Sequence, residues 1–461
     1  MAERKNMWPE ICDAGQVELN KICEGYKKFI SEAKTERLCV EKSVEMAKNH
    51  GFVDLNENIN NAKPLASGDK FYMEFMNKAL ILGVIGEEPL EKGMNILGAH
   101  IDSPRLDLKQ NPLYESDELA FLDTHYYGGI KKYQWVTIPL ALYGVIVKKD
   151  GTVIDVAIGD KEDDPVFCIS DLLVHLSANQ MSKKASAVVE AEALDVLFAS
   201  QVIKSEEKDN VKDNVLKILL DNYNIEEDDF LSAEIEVVPA GKARDLGIDR
   251  SMIIGYGQDD RVCAYTSLLA ILDAEKPQRT ALCVFVDKEE IGSVGATGMQ
   301  SRFFEDTVAE ILNLSGNYSD ILLRRTLRNS YMLSSDVSAA FDPNYSSVFE
   351  KKNAAFFGRG IVFNKYTGAR GKSGSNDANP EYIAKIRRIL DDAGVGFQTA
   401  ELGKVDEGGG GTIAYILANY GMNVIDSGIA VMSMHAPWEV TSKADIYQGY
   451  RCYCEFLKKM K

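Results

Sequence analysis

The chain contains no Cys-x-x-Cys pair, which excludes a structural zinc finger. No apolar run approaches the ~20 residues that a membrane-spanning helix requires. Met1-Ala2-Glu3-Arg4-Lys5-Asn6 is followed by no apolar core of signal-peptide length, so an export leader is not expected. Positive charge is in deficit. Against 70 acidic residues stand 52 basic ones, a net charge of −18. That balance argues against electrostatic binding to nucleic acid or to an anionic membrane, although a local basic pocket survives inside an acidic protein. Eight cysteines show no framework spacing, and Cys39, Cys263 and Cys283 sit in apolar runs. They read as reduced core residues and imply a cytoplasmic protein. The glycine run Gly408-Gly409-Gly410-Gly411-Thr412 lacks the lysine of a phosphate loop. It reads equally as a close backbone approach beside a site or as a plain turn. No internal repeat is visible. Histidine is scarce, with five in 461 residues.

What is present is a set of apolar runs that end in polar chemistry. Ala281-Leu282-Cys283-Val284-Phe285-Val286 reads as a buried strand, and Asp287-Lys288-Glu289-Glu290-Ile291-Gly292 follows it directly. In open α/β sheets ligands bind outside the carboxyl ends of strands. Two adjacent carboxylates there can divide two tasks, holding a metal and moving a proton. A lone Glu-Glu pair is more often a solvated loop. Four further segments change that reading. Ile96 to Arg105 carries His100 and Asp102, a spacing in which the acid can orient a metal-bound imidazole. Gly257-Gln258-Asp259-Asp260-Arg261 opens a helical pattern of Val262, Tyr265, Leu268, Leu269 and Leu272. Tyr331-Met332-Leu333 leads to Asp336. The apolar stretch from Val424 through Met432 leads to His435.

Imidazole and carboxylate together suit a divalent metal such as zinc. Two histidines and several carboxylates exceed the needs of one tetrahedral ion. They suit a pair of ions about 3.5–4 Å apart.

Ala99-His100-Ile101-Asp102-Ser103-Pro104-Arg105, Gln258-Asp259-Asp260-Arg261, Asp287 to Ser293, Ser334-Ser335-Asp336, Asp342-Pro343-Asn344-Tyr345 and Met434-His435 occur in order. As a set they resemble the aspartyl aminopeptidase and vacuolar aminopeptidase I family of dinuclear metal exopeptidases. The resemblance runs from about residue 20 to the C-terminus. It implies two divalent ions, zinc first, with cobalt or manganese as alternatives. It implies that Asp259 bridges them, that His100 and Asp336 complete one site, and that Glu290 and His435 complete the other. It makes Glu289 the general base and Asp102 the support of His100. It also implies a tetrahedral homododecamer, in which His175 reaches a neighbouring subunit's active site and steadies the oxyanion. Two departures from the animal aspartyl enzymes stand out. Asp260 replaces an Asn, which leaves open whether Asp259 or Asp260 bridges. The basic, glycine-rich stretch Asn364 to Lys372 also differs, and it lies near the family's substrate pocket. Lys365, Lys372 and Gly410 are the expected substrate-binding residues, with Arg105 and Arg370 as further cations that can meet an acidic side chain.

The first motif lies near residue 100 and the next near 259, and the texture between them differs. Ile138 to Val147 is apolar, Lys148-Lys149-Asp150-Gly151 is a hairpin signal, and Thr152 to Ile158 and Ala233 to Val238 return as strands. The stretch after Ser182, including Ser205-Glu206-Glu207-Lys208-Asp209, has helical features. The expected architecture is α/β: a doubly wound, mixed-sheet metallopeptidase domain, residues 1–105 and 243–461. A β-rich domain, residues 106–242, is inserted for oligomerisation or as a lid. Of the remaining histidines, His50 reads as the cationic end of a helix, and His125 has no assignable role.

The function expected is removal of N-terminal residues from peptides with a free amine. Preference for Asp or Glu and broader or neutral specificity both stay open. Competing readings are another dinuclear hydrolase on the same scaffold, such as a carboxypeptidase or deacylase, and a non-catalytic assembly protein. The presence of Glu289 with the full ligand set speaks against the last.

Overall fold

A computed structural model describes residues 4–204, 210–369 and 373–461. The chain forms two compact units: Met1–Asp102 with Ala243–Met434 and Glu439–Lys461, and Ser103–Lys242 with His435–Trp438.

The first unit is built on a nine-stranded sheet. Its order is Val53–Asp54, Lys70–Phe75, Ala79–Val84, Ala281–Val286, Asn95–His100, Tyr331–Ser334, Asn423–Gly428, Ile361–Asn364 and Phe397–Thr399. Asn95–His100 is parallel to both neighbours, Ala281–Val286 and Tyr331–Ser334. Tyr331–Ser334 is in turn parallel to Asn423–Gly428. Ala79–Val84 and Ile361–Asn364 pair antiparallel, so the sheet is mixed. Every residue of Asn95–His100 and Ala281–Val286 is buried. That explains their continuous apolar character, since a strand covered on both faces has no solvent side to alternate with.

One apolar core gathers residues from helices Asp13–Glu32, Glu36–Asn49, Gln258–Leu272, Pro380–Ala393 and Lys443–Lys459. A second gathers residues from Phe303–Leu314, Asp320–Arg328 and Ala414–Ala418. Gln258–Leu272 buries all of its residues except Leu269. A helix enclosed on every side is largely apolar all round; this one carries its charged residues in its first turn, and its buried Thr266 donates its hydroxyl to the Val262 carbonyl at 2.9 Å. His50 caps helix Glu36–Asn49, its Nδ1 donating to the Met46 carbonyl at 2.8 Å. A smaller sheet in the same unit orders Arg244–Leu246, Met252–Gly255, Glu439–Ser442, Ala430–Met432 and Ser338–Ala339.

The second unit is a six-stranded antiparallel sheet. Its order is Val153–Ile158, Leu140–Val147, Ala233–Pro239, Arg105–Ser116, Leu119–Tyr127 and Val196–Ala199. The hairpin turn forms as the sequence predicts: the Lys148 amide donates to the Thr152 carbonyl at 2.8 Å and Gly151 takes φ +90°. The helical reading after Ser182 is corrected. Residues 185–187 and 191–193 form single 3-10 turns, and Val196–Ala199 is a strand. Among the described residues after Ser182, the first regular helix is Lys212–Tyr223. Val189, Ala193, Val196 and Leu197 have helical spacing, but Val196 and Leu197 pair with Leu122 and Phe121 in the sheet, and that ladder overrides the local preference. Ser205 to Asp209 lie outside the described residues. Among the described residues no helix is long and apolar enough to cross a membrane.

Candidate metal centre

The parallel register carries the tips of three neighbouring strands to one edge of the sheet. Val286 pairs with His100, and Ser334 with Gly98. His100 therefore ends its strand beside the start of Asp287-Lys288-Glu289-Glu290 on one side. Asp336 lies two residues past Ser334 on the other.

His100 is buried. Its Nδ1 donates to the Asp102 carbonyl at 3.0 Å, with Asp102 Oδ1 at 3.4 Å, and its Nε2 lies 3.1 Å from Asp259 Oδ1. Burial alone would lower the imidazole pKa, but the Asp102 and Asp259 carboxylates outweigh it and hold the group well above its ordinary value. The ring is thus turned by its Nδ1 bond in the way metal-binding histidines are turned.

Asp102, fully buried, does more than support His100. It accepts the amide N–H of Glu289 at 3.2 Å on Oδ1 and that of Glu290 at 3.1 Å on Oδ2. These two glutamates form a 3-10 turn, Glu289–Ile291, flanked by Lys288 at φ +68° and Gly292 at φ +96°. The left-handed flanks reverse the chain sharply, and the Asp102 carboxylate caps the exposed amides. Asp287 is buried behind them, accepting from Thr297 Oγ1 at 2.6 Å and pairing with Lys288 Nζ at 3.1 Å. Burial, then Glu36 and Asp102, push its carboxyl up.

The first turn of Gln258–Leu272 is irregular. Asp259 and Asp260 leave helical φ/ψ, and the peptide between them is cis. Gln258 and Glu439 fix this turn. Gln258 Nε2 donates to the Glu439 carbonyl at 2.6 Å, and the Asp259 amide donates to Glu439 Oε2 at 3.1 Å. Asp260 is fully buried, and neither of its carboxylate oxygens has an N–H or O–H hydrogen bond. Burial pushes its carboxyl well up, His100 opposes this, and Asp259 and Glu289 add to it. Asp336 is raised by burial too, again opposed by His100 and reinforced by Asp260, Glu289 and Asp259.

Ligand atoms of His100, Asp260 and Asp336 all lie within 4.8 Å of one another, as do those of His100, Glu289 and Glu290. One imidazole among five carboxylates, with two buried Asp260 oxygens that accept no N–H or O–H bond, is a donor set that a hard divalent cation fits. Asp260, read from the sequence only as an alternative bridge, is the acid whose oxygens meet no donor but the Cys263 thiol.

The other expected site residues are placed as follows. His435, at φ +64°, belongs to the second unit, where its Nδ1 donates to the Gly129 carbonyl at 2.9 Å. His175 sits exposed in the turn Val174–Leu176 of that unit. His125 lies on strand Leu119–Tyr127, stacked on Tyr126. Gly410 accepts the Gly368 amide at 2.8 Å. Lys365 pairs with Asp377 at 3.1 Å and donates to the Tyr366 hydroxyl at 2.6 Å. Arg105 is buried against Asp107 at 2.7 Å and Glu236 at 3.2 Å, over the Tyr127 ring. Its spacing to Asp107 puts both on one face of a strand, a signal that could have been read from the sequence. Lys372 and Arg370 lie outside the described residues.

A strand-end acid cluster of this kind on a mixed α/β sheet defines a metal-dependent hydrolase. Residues 29–457 match the model of the aminopeptidase I zinc metalloprotease (M18) family, to which the chain belongs. A probable M18 family aminopeptidase 1 of Clostridium acetobutylicum is 59% identical over 458 residues, covering 99% of this chain and 98% of that protein. The crystal structure of aminopeptidase I from the same organism superposes with a TM-score of 0.92 at 55% identity, each chain covered in full at 100%. An M18 aminopeptidase from Thermotoga maritima gives 0.95 at 44% identity, with 100% of each chain covered. The S. cerevisiae mApe1 dodecamer gives 0.77 at 20% identity, covering 96% of this chain and 97% of that one, and at that identity shows the fold alone. The chain is accordingly a zinc metalloaminopeptidase acting on peptides.

Proposed function

We propose that the enzyme uses two divalent ions, zinc in the first place, with Asp259 between them. His100 and Asp336 complete one site, and Glu290 and His435 the other. The convergence of carboxylates on His100, with Asp259 Oδ1 3.1 Å from its Nε2, carries this reading. The Nδ1–H of His435 on a backbone carbonyl is the orientation used by metal-binding imidazoles. When bound, such ions supply Lewis acidity at the scissile carbonyl and make water a stronger acid. Glu289 takes the proton of the attacking water and returns it to the leaving amine. Asp102 holds the Glu289 backbone while this happens. An acid or a metal anchors the substrate's free α-amine, which makes the enzyme an exopeptidase.

Residues 106–242 act as an inserted assembly domain in a homo-oligomer, a tetrahedral dodecamer by family resemblance, and the enzyme works in the cytoplasm. The turn carrying His175 supports assembly: Val174 is 78% and Leu176 68% exposed, as suits residues covered by a second copy. In that assembly His175 steadies the oxyanion of a neighbouring subunit.

Acidic N-terminal residues are the substrates implied by resemblance, with Lys365, Lys372 and Gly410 in the pocket. The Lys365–Asp377 pair favours a second reading, neutral or broad specificity, because that cation already has a carboxylate. The deciding experiment measures kcat/KM for Asp-, Glu-, Leu- and Lys-nitroanilides with added Zn, Mn or Co, and includes N-blocked peptides. Highest values for Leu or Lys rule out acidic preference. Turnover of blocked peptides rules out the need for a free α-amine.

A further inference from the structure

The glycine-rich run before helix Ala414–Ala418 takes no part in the proton transfers above, yet it bonds strand Tyr366–Ala369, which one carboxylate ties to the sheet. Asp426 lies on strand Asn423–Gly428, opposite Ser334 on one side and Asn364 on the other. It is 2% exposed. Its Oδ2 accepts from Thr367 Oγ1 at 3.1 Å, and its Oδ1 is buried without a hydrogen-bond partner. Burial pushes its carboxyl up to about 6. The polar side chains facing it, Thr412, Thr367, Ser334 and Asn376, pull the other way. A carboxylate kept in so dry a place is costly unless its neighbours need it.

Those neighbours belong to separate segments. Thr367 lies on strand Tyr366–Ala369, and Thr412 closes the glycine run, its hydroxyl accepting the Ala414 amide at 3.2 Å. The two segments also meet directly through the Gly368 amide and the Gly410 carbonyl. Ser334 is the last residue of the strand that leads to Asp336. Two residues beyond Asp426, a Cβ on Gly428 would lie 1.8 Å from the Asp336 carbonyl oxygen, so the strand presses on that backbone. Asp426 thus stands one step behind the strand tip, bonds Thr367 of one outer segment, and reaches the glycine run through the Gly368–Gly410 bond.

We propose that Asp426 is a positioning residue: it locks the glycine-rich run and strand Tyr366–Ala369 to the strand tip at Ser334, and so fixes the wall that receives the substrate's N-terminal side chain. The proposal rests on the reading that Tyr366 to Gly368 and Gly410 border the substrate pocket. Binding energy is lost when such a wall must be ordered by the substrate itself, so substrate affinity falls more than the chemical step.

The test compares Asp426→Ala, Asp426→Asn and the double variant Thr367→Val/Thr412→Val with the wild-type holoenzyme. The double variant leaves the buried carboxylate in place and guards against a fold failure of Asp426→Ala. For a nitroanilide substrate, Asp426→Ala should raise KM tenfold or more with kcat changed less than threefold and zinc content unchanged. Asp426→Asn keeps an acceptor oxygen and should fall between. The double variant should raise KM severalfold. Amide hydrogen exchange across 366–369 and 408–412 should accelerate in each. Unchanged exchange in the folded double variant overturns the tie itself. Faster exchange with unchanged KM shows the tie but overturns the placement of these segments at the substrate pocket. A loss of kcat and zinc with KM unchanged overturns the positioning role in favour of a structural one.

Discussion

Replacing Asp102 with Ala should weaken metal binding without unfolding the protein. The carboxylate accepts two amide bonds, from Glu289 and Glu290, and flanks His100 Nδ1. Removing it leaves two amides without their acceptor, at roughly 1–3 kcal/mol each. At 3.2 and 3.1 Å both bonds are at the long end of the normal range, so the lower part applies, about 2–3 kcal/mol together. If that loss falls on the geometry of Glu290 and His100, zinc affinity drops about 30- to 150-fold, at 1.4 kcal/mol per tenfold. Mutating an orienting partner of a metal ligand typically costs about 10–100-fold, which agrees. Asp102→Asn keeps one acceptor and should lose about half the free energy, roughly 5- to 12-fold. Competition with a chromophoric chelator measures the affinity, and circular dichroism checks the fold. A folded Asp102→Ala variant that binds zinc as the wild type does would refute the reasoning.

Glu289→Gln should retain metal while losing about 10²–10⁴-fold in kcat, whereas Glu290→Gln should lose metal; exchanged phenotypes would reverse their roles. His100→Ala and His435→Ala should each abolish activity in a folded protein, and wild-type turnover with unchanged metal content in either would remove it from the ligand set. Asp445 is fully buried, accepts the Gly358 and Gly360 amides, and is pushed by burial up to about 7. Its folded carboxyl therefore binds a proton more tightly than the unfolded one, and its contribution to stability declines as pH rises from about 4 through about 7. In urea melts of metal-free protein, wild type should lose stability relative to Asp445→Asn between pH 5 and 8; a constant difference refutes this. Light scattering at micromolar concentration should give a mass far above the 51.1 kDa chain, and a monomer peak would end the role assigned to His175 across subunits.

The strand tips were legible because burial on both faces makes a strand continuously apolar, so the first polar residue after it marks the sheet edge. Ala281–Val286 and Asn95–His100 both follow this pattern. The helix from Gln258 was legible from the spacing of Val262, Tyr265, Leu268 and Leu272, although its first turn is not regular. What sequence reading missed depends on approach across long separations. The Asp102 bonds to Glu289 and Glu290 span 187 and 188 residues, and no local pattern encodes them. The Lys365–Asp377 pair was missed because a cation in a glycine-rich stretch looks available until its facing strand is known. The stretch after Ser182 misled because its alanines, valines and leucines allow a helix, while pairing of Val196–Ala199 with a strand about 75 residues earlier, as the register gives it, decides for a strand.

The parallel ladder also acts as a ruler. Neighbouring strands lie about 4.8 Å apart, a spacing set by backbone hydrogen bonds and insensitive to side chains. The tips at His100, Asp287 and Ser334 advance in those fixed steps. Backbone shifts therefore absorb little of a length change in the ligands proposed above, and a one-residue slip would turn His100 to the opposite face. Side-chain length is the remaining adjustment, so Asp336→Glu, one methylene longer, would overshoot a position that the sheet has already measured out.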